Sequence, residues 1–132
     1  MFLIVCGGRD VSDRDWVWRV LDGIHRKHGI TRMIEGGQRK WCCDRREYIG
    51  ADWFAKCWRE ARGVDGESYL ADWGAFGRGA GPRRNSTMAA TESTHCLGFG
   101  GNSGTSDMLE KAERAGKITR RIFPVDTKPQ PR

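Results

Sequence analysis

No apolar run in this chain approaches the ~18 residues that a bilayer-spanning helix needs, which excludes a transmembrane protein. The start, MFLIVCGGRD, has no basic segment ahead of its short apolar run, so it predicts a first strand and not a secretory leader. The sequence lacks GxxxxGK[ST], which argues against a P-loop nucleotidase, and it lacks GxGxxG after its first strand, the usual dinucleotide fingerprint. It also has no CxxC pair, and no histidine stands near Cys42-Cys43, so no metal is expected. No internal repeat is visible.

What is present fits a compact core crossed by tight turns. The chain has 132 residues, 38% of them hydrophobic, and its 18 glycines are about twice ordinary usage. That length predicts one domain over residues 1–125 and a flexible tail over 126–132. The five cysteines are an odd number, and a core of this size needs no staples; reduced thiols in a cytoplasm are the simpler expectation. A net charge of +6 and a pI near 9.4 point to an anionic partner.

Short apolar runs alternate with helical patterns. Phe2–Cys6, Arg32–Glu35, Ser68–Ala71, His95–Phe99 and 118–125 read as strands, the last a polar edge. Helices follow Ser12 or Asp13, which can cap the first (stripe Trp16, Val17, Val20, Leu21, Ile24), and begin near Gly50 (face Phe54, Ala55, Trp58, Ala61) and at Ser106, with another, reaching about Thr91, that has Pro82 in its first turn. Strict alternation predicts an α/β Rossmann-like sheet of about five mostly parallel strands with helices on both faces. Ligands of such sheets bind beyond the carboxyl ends of the strands, where strand order reverses. Gly7-Gly8, Gly36-Gly37 and Gly100-Gly101 with Gly104 fall at those ends.

The loops carry chemistry suited to an anion. GGNSGTSD leads into a helix whose first N–H groups can face a phosphate, with hydroxyls from Ser103, Thr105 and Ser106. GRGAGPRRN sets Arg78, Arg83 and Arg84 on a loop and a helix start, the wrong end of a dipole for cations unless an anion joins them. Arg9 can reach a phosphate, and Asp10 either holds a ribose hydroxyl or caps a turn. The polar stretch 38–48 is a candidate lid, with Trp41 over a base and Arg39, Lys40, Arg45 or Arg46 on phosphate. Cys6 and Cys96 read as core thiols, His25 and His28 as a helix end, and His95 as structural.

Read together, GGRD at 7–10, GG at 36–37 with GAD at 50–52, ADWGAFGRGAGPRRN at 71–85 and FGGNSGTSDM at 99–108 resemble the SLOG superfamily, closest to its YspA/YpsA-related branch. More distant members are the LOG-type phosphoribohydrolases and DprA. The resemblance implies a nucleotide or nucleotide-derived ligand lined by Gly7, Gly8, Arg9, Gly37, Asp52, Trp73, Arg84, Asn85, Gly101, Gly104 and Thr105. To these the loop chemistry adds Asp10, Gly36, Arg78 and Ser103. Two departures stand out: an insertion at 38–48, and Gly100 and Asn102 where the branch has proline and glycine, with Asn102 still compatible with a positive φ.

Three functions follow as expectations. The first is binding of an ADP-ribose-like or cyclic signalling nucleotide by a sensor or sequestering protein. The second is LOG-type hydrolysis of a nucleoside 5'-monophosphate, with Arg84 and Asp107 catalytic; Asp107 precedes Met108, which takes the LOG glutamate's place, and a thioether cannot move a proton. The third is DprA-like nucleic-acid binding, with Trp41 and Trp73 as exposed stacking candidates. No cofactor is expected, and relatives of this fold commonly form homodimers.

Overall fold

The structure, a computed structural model, describes residues 1–124. The end of the last predicted strand at Val125 and the tail 126–132 lie outside the described residues. Five strands, β1 (Phe2–Gly7), β2 (Arg32–Glu35), β5 (Asp65–Ser68), β6 (His95–Phe99) and β7 (Ile118–Ile122), form one sheet in the order β5-β2-β1-β6-β7. All four pairings are parallel. The chain runs outward from β1 in one direction, returns to β6 beside it, and runs outward in the other.

Alternation within each strand divides the core. Leu3 and Val5 of β1, Met33 of β2, and Leu97 and Phe99 of β6 face α1 (Arg14–His28) and α2 (Ala51–Arg62). Ile4, Cys6, Ile34 and Cys96 face the other way, toward α4 (Ala80–Ala89) and α5 (Ser103–Arg114). A strand buried on both faces has to be apolar throughout, hence the uninterrupted Phe2–Cys6 run. Asp13 caps α1 by accepting from the Trp16 N–H, and Gly63 ends α2 in the left-handed conformation at φ 66°.

Four details depart from the sequence pattern. The third sheet strand is Asp65–Ser68, not Ser68–Ala71. It is an edge strand with little apolar surface, and Gly66 lies so close to β2 that a Cβ there would sit 1.7 Å from the Met33 carbonyl oxygen. Helix α5 begins at Ser103, three residues before the expected Ser106, because Asn102 caps it. In α2, Ala61 is exposed, and the buried face is Ala51, Phe54, Ala55 and Trp58. The 38–48 stretch contains a small antiparallel hairpin, β3 (Lys40–Cys42) with β4 (Glu47–Ile49).

Candidate functional site

The carboxyl ends of β1, β2 and β6 lie together, and strand order reverses between β1 and β6. A cavity of about 390 Å³ opens there. Trp73, in the short helix α3 (Trp73–Phe76), lines it with Arg78, Arg84 and Asn85. The first turns of α5 contribute Ser103, Gly104, Thr105 and Asp107. Gly7, Gly36 and Asp52 are the other expected residues that line it, and buried Met88 and Met108 add apolar surface.

Arg84 is held in place by backbone. Its Nη1 donates to the Gly36 carbonyl at 2.9 Å and the Tyr69 carbonyl at 3.4 Å, and its Nε donates to Asn85 Oδ1 at 3.0 Å. A Cβ at Gly36 would lie 2.2 Å from Arg84 Nη1, so a side chain there would displace the guanidinium from this position. Asn85 then donates from Nδ2 to Asp107 Oδ2 at 3.0 Å, and Lys111 Nζ donates to the same oxygen at 2.9 Å. The structure thus joins Arg84 to Asp107 through Asn85. Lys111 is the part of this chain that sequence reading missed, although its i,i+4 spacing from Asp107 is a recognisable signal.

Asp52, at the start of α2, is 6% exposed and accepts the Gln38 N–H at 3.2 Å. Burial pushes its carboxyl up to about 7, against the pull of the Gln38 N–H and the Arg84 guanidinium. Gln38, also missed in the sequence, lines the cavity and is the only residue of the 38–48 stretch that does. Trp41 packs instead against Tyr48, ring centroids 5.1 Å apart, and Arg45 pairs with Glu47 and bonds the Ser12 carbonyl. The stretch is a braced hairpin beside the cavity and does not place Trp41 over it.

Not every expected residue reaches this cavity. Arg9, Asp10 and Gly101 line a neighbouring one of about 450 Å³, together with Arg39, Lys40 and Asn102. Gly8 is buried and gives its N–H to the Phe99 carbonyl, so its role is to join the β1 and β6 loops. Gly37, at φ 68°, turns the chain against Leu70 and Ser68 and lines neither cavity.

The phosphate cradle expected at α5 is altered by Asn102. Its backbone is extended at φ −128°, not left-handed, and its Oδ1 accepts from the Gly104 and Thr105 N–H groups. The side chain therefore occupies helix-start donors that an anion would otherwise take. Thr105 is 3% exposed, lines the cavity, and its Oγ1 has no hydrogen-bond partner. The loop is anchored from β7, where Arg121 Nε donates to the Gly100 carbonyl at 2.8 Å and Nη1 to Ser106 Oγ at 2.8 Å. Cys6 and Cys96 are buried as expected, with sulfurs 4.0 Å apart. His25 accepts the Ile30 N–H at the end of α1, a local structural role.

A doubly wound parallel sheet with a cavity at its point of strand reversal defines this as a Rossmann-like protein. The chain belongs to the YspA, cpYpsA-related SLOG family, whose match spans residues 1–76. Membership places it, at a coarse level, among proteins of nucleotide-related binding or processing. The matched span carries GGRD, the 36–37 glycines, GAD and ADW, while α4 and α5 lie beyond it. No curated protein and no solved structure matches the chain. Among the described residues, no helix is long and apolar enough to cross a membrane.

Proposed function

We propose that this protein binds a nucleotide-derived small molecule in the main cavity and holds it without turning it over, as a sensor or a sequestering protein. The observation that carries this reading is the gathering of two guanidinium groups, Arg78 and Arg84, and the exposed Trp73 indole around one cavity at the switch point. Guanidinium forks suit phosphate, and an indole face suits a base or ring. The buried Thr105 hydroxyl adds an uncommitted polar group to the same wall. The test is mass spectrometry of small molecules released from the denatured protein, beside titrations with AMP, NAD, ADP-ribose and cyclic nucleotides. An intact nucleotide, unchanged after long incubation, is the expected result.

Arg84→Ala is expected to weaken ligand affinity by about 10- to 150-fold, the range for hydrogen bonds to a charged group. Because Arg84 also ties Gly36 and Tyr69 to α4, the variant's melting temperature is measured alongside. Undiminished affinity in a folded variant would move the site elsewhere. A second expectation concerns Asn102. Asn102→Gly should retain most of the helix-cap stability, since glycine at this position costs only a few tenths of a kcal/mol, and Asn102→Ala should cost about 1 kcal/mol. Only the glycine variant combines a stable helix start with freed N–H groups, so it should bind phosphate-bearing ligands more tightly than the parent in calorimetry.

One observation favours a second reading, hydrolysis of an N-glycosidic bond. Asp107 lines the cavity and is linked through Asn85 to Arg84, so a carboxylate and a guanidinium face one ligand space. Free base accumulating with ribose phosphate, and lost in Asp107→Asn, would replace binding with turnover.

A further inference from the structure

The neighbouring cavity has a chemistry of its own. Arg9, Arg39 and Lys40 converge on it with a single carboxylate, Asp10. Among the described residues, none of these three cations has a salt-bridge partner. Arg39 is positioned by aromatic faces instead, its guanidinium carbon 4.0 Å from the Tyr48 ring centroid and 5.2 Å from that of Trp53. Three cations facing one carboxylate leave an excess of positive charge, and an anion between them lowers their mutual repulsion.

The two cavities share Asn102. The loops that end β1 and β6 meet there, joined by the bond from the Gly8 N–H to the Phe99 carbonyl. Gly7 lines the first cavity and Gly101 the second, so a chain of phosphates passing between them meets backbone and the Asn102 side chain. The hairpin made by the 38–48 stretch is what adds Arg39 and Lys40 to this side.

We infer that the second cavity is a subsite for a further phosphate of the same ligand, so that the class bound is a nucleotide carrying two or more phosphates. This rests on the main cavity being a nucleotide site. The base and first phosphate occupy the cavity of Arg84 and Trp73, and the phosphate chain crosses the glycine loops to Arg9, Arg39 and Lys40.

The experiment compares AMP, ADP and ATP by calorimetry in the parent protein, in Arg84→Ala and in the double variant Arg39→Gln/Lys40→Gln, whose replaced side chains are both exposed. ADP or ATP should bind the parent at least about tenfold tighter than AMP, as expected for added charge-assisted bonds. The double variant should lose that excess and keep the parent's AMP affinity. Equal affinities of the three nucleotides in the parent, or an equal weakening of all three in the double variant, would overturn the subsite. So would tight binding of a single-stranded oligonucleotide that the double variant abolishes, because the patch would then track a nucleic-acid backbone. Failure of the underlying reading looks different: AMP fails to bind the parent, or binds it and Arg84→Ala equally.

Discussion

Arg59→Met is expected to destabilise the protein by about 3–5 kcal/mol at pH 8, the range for stranding one partner of a buried ion pair. Glu35 is fully buried at the end of β2, and Arg59 Nη2 meets its Oε2 at 3.0 Å while also reaching Ser68 Oγ at 3.3 Å. Burial already raises the Glu35 carboxyl above its usual range, with the Ser68 hydroxyl and Arg59 holding it back. Without Arg59 the carboxyl rises further, so the folded state keeps a proton that the unfolded chain releases. The loss should therefore shrink as pH falls toward 5. Glu35 Oε1 and Arg59 Nε have no hydrogen-bond partners, which means the pair recovers only part of its desolvation penalty. The double variant Glu35→Met/Arg59→Met should accordingly recover most of the stability. Urea denaturation at pH 5 and pH 8 checks this; equal losses in the single and double variants would contradict it.

Asp52→Asn is expected to flatten the pH dependence of stability between about pH 4 and pH 7. The folded carboxyl stands at about 7, against an ordinary 3.8, because burial disfavours its charged form. A raised carboxyl contributes stability that is fully present below the unfolded value and lost as pH rises through the folded one. The separation corresponds to on the order of 4 kcal/mol. The groups facing Asp52 are Arg84 from α4, Glu35 from β2, and the backbone N–H groups of Gly36 and Gln38. Asparagine keeps an oxygen for those N–H groups and cannot ionise. Its urea midpoint should fall less steeply than the parent's, the remaining slope coming from groups such as Glu35, and an identical fall in both would refute the assignment. The site should respond as well. Above pH 7 ionised Asp52 competes for the Arg84 charge, so the parent's phosphate affinity, taken relative to that of Asp52→Asn at each pH, should decline as pH rises from 6 to 8.

Much of the fold was legible because burial writes itself into local pattern. A strand covered on both faces is apolar at every position, as in Phe2–Cys6, and a helix with one covered face repeats every three to four residues, as in Trp16, Val17 and Leu21. Glycines at the strand ends marked the right edge of the sheet. The pattern misled where burial was weak. β5 is an edge strand, and the more apolar Tyr69-Leu70-Ala71 drew the expectation past it, although Leu70 is 75% exposed. Asn102 tolerates left-handed backbone, but its capping oxygen determines its place, with the backbone extended.

By itself, the sequence determined the alternation of strands and helices, the glycine turns at the strand ends and the supply of arginines beside them. These depend on neighbours within a turn or two of chain. Only the tertiary structure decided that Arg84 commits Nε and Nη1 to Asn85, Gly36 and Tyr69, and that Asp107 joins it through Asn85. It also decided that Arg9 and Asp10 turn toward Arg39 and Lys40 and away from the main cavity. Those outcomes depend on strand order and on which loops meet across the sheet, between residues tens of positions apart. A contact at that separation is set by how the whole chain packs, and it leaves no local period to read.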